Sequence, residues 1–195
     1  MALLKEGETL AMVKSHGAYT VDGNAICCNE EQGSEEEGKV RRLLTLPLTG
    51  EKNACEVLVV GINPSTAKPG RSDRTTSMLA RVFYTLGYDT LNVINLYFNR
   101  DPKANGVDFA SKADFNDYKD LFEKADAVVC AWGLDLKFPA KNSEALDVLA
   151  QYEDKLWCIE RNGKFPVHPR RWCYGDNCTF RKFPITKWRE ENLER

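Results

Sequence analysis

Two polar side chains, each next to a proline, could do chemistry. Asn63 lies in Gly61-Ile62-Asn63-Pro64-Ser65-Thr66-Ala67, and His168 lies in Phe165-Pro166-Val167-His168-Pro169. Pro64 restricts Asn63 to extended geometry and fixes its own backbone. An amide held in that way can position a water or a carbonyl, and Ser65 and Thr66 offer hydroxyls and N–H groups to an anion. The competing reading is an Asx-type turn in which Asn63 bonds its own backbone. His168, with Arg170 and Arg171 just after it, is either a ligand contact or a structural imidazole. No carboxylate stands in the first motif, and an amide can orient a water but cannot take its proton. Asp73, in Ser72-Asp73-Arg74-Thr75, is the nearest acid, and its position before an apolar-periodic run equally suits a helix cap. Arg71, Arg74 and Arg100 suit phosphate or open solvent.

Trp132-Gly133 follows an apolar run; the glycine either admits a ligand to the backbone or turns the chain, and the tryptophan either packs or stacks. Seven cysteines form an odd set. Cys55, Cys130 and Cys158 sit in or beside apolar runs, where a thiol behaves as a small hydrophobe. His168, Cys173 and Cys178 are the residue types zinc prefers. Their spacing, four intervening residues each time, is not that of a CxxC pair, so the expectation is no metal and no cofactor.

These residues need elements to position them. Glu56 to Ile62, Leu91 to Tyr97, Asp126 to Trp132 and Lys155 to Glu160 read as short buried strands. Between them, Met78, Leu79, Val82, Phe83 and Leu86 keep a helical period, opened by Ser72 or Asp73 and closed by Gly87. Phe115, Tyr118, Leu121, Phe122 and Ala125 give a second helix opened by Ser111. Ala145, Leu146, Val148 and Leu149 give a third, opened by Asn142 or Ser143. Such alternation predicts a four-stranded parallel sheet covered by helices on both faces. Ligands bind such sheets beyond the carboxyl ends of the strands, where Asn63, Gly133 and His168 all fall. Val40 to Leu48 reads as a further strand, paired with Tyr19 to Cys27 in an amino-terminal β arm. Residues 1–39 are expected to form that arm, and residues 40–195 a single α/β domain.

Composition sets outer limits. The chain has 195 residues, 43% hydrophobic and 29% charged, which excludes collagen-like and wholly disordered classes. No uncharged apolar run approaches the ~20 residues of a membrane span, so no membrane is expected. Met1 to Val13 carries Lys5, Glu6 and Glu8 and reads as no secretory signal, so reduced thiols in the cytoplasm are expected. The formal net charge is −2, which argues against tight, indiscriminate nucleic-acid binding. The charge is uneven: Thr20 to Lys39 has six acids and one base, whereas Arg161 to Arg195 has nine bases and four acids. The acidic run reads as a solvated loop; the basic tail is compatible with an anionic ligand.

VVGINPSTA, SDRTTSMLARVFYTLGY, LNVINLYFNRDP, ADAVVCAWG and KFPVHP, in that order over about residues 40 to 170, resemble the domain-of-unknown-function family 1643. The first motif is also similar to the GINPG segment of the mismatch-specific uracil/thymine-DNA glycosylases, and His168-Pro169 to the HPSP segment of the uracil-DNA glycosylases. The resemblance implies a uracil-DNA-glycosylase-like α/β/α sandwich around a four-stranded parallel sheet; a fold alone does not imply the activity. By that resemblance Asn63 orients the attacking water and His168 stabilises the departing base. Asn95 reads the base edge, and Tyr97 or Phe98 supplies a stacking face. Ser65, Thr66, Arg100, Trp132 and Gly133 complete the expected substrate contacts. The chain departs from the pattern at Ser65, where the mismatch enzymes have a glycine, and at Arg170-Arg171-Trp172, which replaces a small residue.

Two functions follow as expectations. The first is a glycosylase-like hydrolase of the N-glycosidic bond of a modified base, in a nucleotide or a nucleic acid. The second is a non-catalytic module that binds a nucleotide or modified base. The partner expected in both is a nucleotide or modified base, with single-stranded nucleic acid ahead of duplex DNA.

Overall fold

The computed structural model describes residues 4–14, 19–29, 40–49, 55–99 and 109–193. Among these residues seven strands form one sheet: β1 (Cys27–Asn29), β2 (Leu43–Pro47), β3 (Glu56–Gly61), β4 (Thr90–Asn95), β5 (Ala127–Cys130), β6 (Leu156–Arg161) and β7 (Cys178–Lys182). Their spatial order is β1-β2-β4-β3-β5-β6-β7. The neighbours β4, β3, β5 and β6 run parallel, with Gly61 opposite Asn95 and Val60 opposite Cys130. The pairs β1–β2, β2–β4 and β6–β7 are antiparallel.

The expected sheet of four strands is therefore corrected to seven. Crossover helices force parallel pairing and leave a clear alternation in the sequence. The other strands join at the edges by antiparallel pairing: β2 falls within the expected run Val40 to Leu48, but its partner β1 is Cys27–Asn29 and not Tyr19 to Cys27, where Gly23–Ala25 forms a 3-10 turn. β7, Cys-Thr-Phe-Arg-Lys, is too short and polar to stand out by pattern.

The connecting helices are α1 (Leu10–Lys14), α2 (Arg74–Thr85), α3 (Lys119–Lys124), α4 (Lys137–Ala140), α5 (Ser143–Ala150) and α6 (Ile185–Asn192). Asp73 caps α2, its carboxylate accepting from the Thr76 N–H. Gly87, just past its end, has φ +85°, a region favouring glycine. The second helix differs from expectation. Asp114, not Ser111, is its cap, and it opens as a 3-10 turn over Phe115–Tyr118 before α3. Asn142 caps α5 and is fully buried. Its side-chain N–H groups donate to the carbonyls of Leu96 (2.8 Å) and Ala113 (3.3 Å), which pins the chain just beyond β4.

Strand parity divides the core. Val57, Val59, Leu91 and Val93 join Leu79, Val82 and Phe83 of α2, together with Leu4, Leu10 and Val13 near the amino terminus, in one cluster. Leu58, Val60, Ile94 and Val128 join Phe122 of α3, Leu146 and Leu149 of α5 and Trp188 of α6 in the other. The described part of residues 1–39 thus packs onto the sheet, with Thr9 bridging Thr179 of β7. The acidic run from Glu30 to Lys39 lies outside the described residues. Among the described residues no helix is long and apolar enough to cross a membrane.

Candidate functional site

β3 lies between β4, to which the chain runs next, and β5, to which it later crosses back. Ligand crevices open at such a reversal, beyond the strand carboxyl ends. A cavity of about 430 Å³ opens there, on the α2 face. Val59 and Gly61 of β3, Val93 and Asn95 of β4, and Ala131 after β5 form its floor. Residues 62–66, the start of α2 and the segment 168–171 form its walls. Its volume falls within the range of small-molecule sites, about 300–1,000 Å³.

Asn95 is 3% exposed, and its side-chain Nδ2 has no hydrogen-bond partner. Leaving a buried donor unpaired costs about 1–3 kcal/mol, so an unpaired amide on a residue that lines a cavity suits a ligand acceptor. Gly61 makes room for this amide. A Cβ at position 61 would lie 2.6 Å from Asn95 Oδ1, far inside contact distance.

His168 stands across the cavity on a 3-10 turn, Pro169–Arg171, and its Nδ1 accepts the Arg170 N–H at 3.1 Å. Burial, reinforced by the charges of Arg170 and Arg171, pushes its pKa down to about 4 against an upward pull from Asp73. The ring is therefore neutral at pH 7. With the Nδ1 lone pair engaged, its proton sits on Nε2, which makes Nε2–H a donor. Gly133, with φ +95°, lets this segment approach, since a Cβ there would lie 3.3 Å from the His168 Cβ.

Arg41 is 1% exposed and holds the first motif in place. Its Nη1 donates to the Ala67 carbonyl at 2.7 Å and its Nη2 to Ser65 Oγ at 3.3 Å. Asp73 grips the same motif from the other side. Its carboxylate accepts from the N–H groups of Thr76 (2.8 Å) and Ala67 (3.0 Å) and from Thr66 Oγ1 (3.3 Å). Burial alone would raise the Asp73 pKa, but hydrogen bonds from Thr76, Ser65 and Ala67 outweigh it and hold the carboxyl below its usual value. With its oxygens so occupied, Asp73 is an ionised cap and a poor base. Among the described residues, Arg74, Arg170 and Arg171 line the same cavity as Arg41, against one carboxylate, that of Asp73. The positive end of the α2 dipole adds to them, so the site favours an anionic, acceptor-rich ligand.

Asn63, Ser65, Thr66, Asn95 and His168, distant in sequence, thus share one cavity. Other expected contacts lie elsewhere. Tyr97 and Trp132 are fully buried in the cluster on the opposite face, and Phe98 belongs to that cluster too. The Tyr97 hydroxyl donates to the Phe138 carbonyl at 2.6 Å, and the Phe98 ring lies 4.3 Å under the Arg42 guanidinium. Parity explains Trp132: Ala131 faces the cavity, so its neighbour in an extended chain faces away. Gly133 acts through His168 instead of lining the cavity. Arg71 is exposed and lines no part of it, and Arg100 lies outside the described residues.

The zinc set does not assemble. His168 lines the cavity with Nδ1 engaged, while Cys173 and Cys178 face each other. Among the described residues no group of three His, Cys, Asp or Glu side chains could hold a metal ion. Sequence reasoning missed Arg41. An arginine entering the apolar strand run Leu-Leu-Thr-Leu was the available signal, because a buried guanidinium must be held for a reason.

This is an α/β protein with a polar cavity at the reversal of strand order. A profile of the family described as "Protein of unknown function (DUF1643)" matches residues 42–170, more than half of the chain. The chain belongs to that family. The match covers β2 through Arg170, and so includes every described lining residue of the cavity except Arg41 and Arg171. No curated protein and no solved structure gave a significant match.

Proposed function

We propose that the cavity receives a nucleobase and that the chain is a glycosylase-like hydrolase of the N-glycosidic bond of a modified base, in a nucleotide or in single-stranded nucleic acid. The observation that carries this reading is the unpartnered, buried Asn95 Nδ2, in one cavity with Asn63 and a neutral His168. In this reading the fold is a three-layer, uracil-DNA-glycosylase-like sandwich, and the chain works in the cytoplasm. Asn95 donates to a base carbonyl. As the bond breaks, positive charge builds on the sugar and negative charge on the base. The His168 Nε2–H stabilises the base oxygen, and Asn63 holds the water on the sugar's other face. The arginines at the mouth suit the phosphate of a nucleotide.

One observation favours the second reading, a binding module without turnover. Asp73, the single carboxylate among the described residues that line the cavity, is spent on capping α2 and bonding the first motif, so among those residues no free base takes the water's proton. Base release across modified oligonucleotides and nucleotides decides between them. Turnover lost in both Asn63→Ala and His168→Ala supports hydrolysis. Binding that Asn95→Ala abolishes, without turnover in the parent chain, supports the module. If no nucleotide, oligonucleotide or base raises the melting temperature, both readings fall.

A further inference from the structure

Immediately after the cavity wall at 168–171, the chain turns at Trp172 and enters the loop that begins β7. Cys173 and Cys178 stand at the two ends of that loop with their sulfurs 3.3 Å apart. We propose that they are a redox-active dithiol, a modification site that closes to a disulfide when the chain meets a hydroperoxide. Bond formation requires S–S near 2.05 Å, so the sulfurs need to approach by only about 1.3 Å, within reach of small side-chain rotations. The loop is already drawn tight. The Gly175 N–H donates to the Cys173 carbonyl (2.8 Å) and the Cys178 N–H to the Gly175 carbonyl (3.3 Å).

The two thiols have different surroundings, as an attacking and a resolving thiol require. Cys173 is partly exposed, whereas Cys178 is fully buried. Burial is also the main cause that pushes the Cys178 thiol pKa up, keeping it protonated until a partner forms. Cys130 and Cys158 provide the contrast. They are register partners on β5 and β6 but fully buried, where no peroxide reaches.

The chemistry balances in two steps. The Cys173 thiolate attacks the peroxide's outer oxygen, the O–O bond breaks, and an alcohol (water, for hydrogen peroxide) leaves with the proton, giving a sulfenic acid. The Cys178 thiol then attacks that sulfur, the S–OH bond breaks and water departs, leaving the disulfide. Two thiols are oxidised by two electrons and one peroxide is reduced. The closed loop would stiffen the cavity wall as well. Trp172, next to Cys173, donates its indole N–H to the Val167 carbonyl at 2.7 Å, one residue before His168.

The experiment treats the reduced full-length chain with one equivalent of hydrogen peroxide, alkylates it under denaturing conditions and maps it with trypsin. Both cysteines fall in one tryptic peptide, Trp172 to Arg181. The expected result is that this peptide becomes about 2 Da lighter and resists alkylation, while peptides holding Cys130 and Cys158 alkylate fully. Hydrogen exchange over residues 167–180 should slow in the oxidised chain and recover with dithiothreitol. Cys178→Ser should stop at a sulfenic acid that dimedone traps on Cys173, and Cys173→Ser should form no disulfide. The parent chain's own peptide map decides the matter even if a variant fails to fold. Oxygen added to Cys173 while Cys178 stays alkylatable would overturn the proposal, as would a peptide left unchanged or either thiol paired elsewhere.

Discussion

His168 makes the cavity sensitive to acid, and the size of the effect can be worked out. Its pKa is about 4 in the fold against 6.5 ordinarily, with burial the main cause and Arg170 and Arg171 adding to it. Above about pH 6.5 the ring is neutral in both the folded and the unfolded chain, and stability is full. As pH falls below that value the unfolded chain takes a proton that the folded chain refuses. Stability then drops by about 1.4 kcal/mol per pH unit until the folded ring itself protonates near pH 4. The loss over the whole window is at most about 3 kcal/mol, with about 2 kcal/mol gone by pH 5. Asp73 titrates below its ordinary 3.8, so the stability it contributes is lost only at lower pH. The interval from pH 6.5 to 5 therefore separates imidazole titration from that of Asp73, and comparison with a His168 variant separates His168 from His16. The assay is urea unfolding at half-unit steps from pH 7.5 to 5, for the parent chain and for His168→Gln. The parent should lose about 2 kcal/mol more than the variant through that window. Parallel curves would refute the buried neutral ring, and with it the Nε2–H donor on which the proposed chemistry relies.

Other substitutions test the remaining parts of the cavity. Gly61→Ala would drive a methyl to within 2.6 Å of Asn95 Oδ1, so a loss of about 1–3 kcal/mol in urea unfolding is expected, with weakened nucleotide binding by titration calorimetry. Asp73→Ala removes the α2 cap and a bond to the Ala67 N–H; thermal unfolding should show a loss of about 1–2 kcal/mol. Trp132→Phe changes the face opposite the cavity, so it should lower stability while leaving nucleotide affinity within twofold of the parent. An affinity loss in that variant as large as in Asn95→Ala would show that the aromatic is a ligand contact after all.

The parts legible in the sequence are those set by local pattern. β-branched runs fix β3, β4, β5 and β6, because strands buried on both faces read as continuous apolar stretches. Asp73 and Asn142 are readable as caps because a short polar side chain precedes each apolar period. The amino-terminal edge was readable in part, as the apolar run that holds β2, whereas the carboxyl-terminal edge was not. β7 and α6 follow no crossover rhythm, and a polar strand such as Cys178–Lys182 gains its place by pairing with β6. The second helix misled because its apolar residues keep a helical period while the chain first makes a 3-10 turn. Site residues divided in the same way. Asn63, Asn95 and His168 were reached through motifs, whereas Arg41 was missed because its partners, Ala67 and Ser65, lie more than twenty residues ahead.

Register explains why some motif residues face the cavity and others do not. Gly61 pairs with Asn95 across β3 and β4, so one side-chain row carries both the gap and the amide that fills it. The same parity places Val59, Val93 and Ala131 on the cavity side, and Val60, Ile94 and Trp132 on the other. A one-residue slip of β4 against β3 would exchange Asn95 for an apolar neighbour and bury the amide in the opposite cluster. The register is held from beyond the strand, where Asn142 donates to the Leu96 carbonyl and the Leu96 N–H donates to the Gly61 carbonyl at 3.0 Å. Asn142 therefore positions Asn95 without touching the cavity. Asn142→Ala should lower ligand affinity as well as stability; Asn142→Asp keeps the oxygen that caps α5 but replaces the two donated bonds with a buried carboxyl oxygen against two carbonyl oxygens, so it too should lower both. If Asn142→Asp binds nucleotide as tightly as the parent chain, those bonds do not set the register, and the packing of Val59 and Val93 against α2 must do so alone.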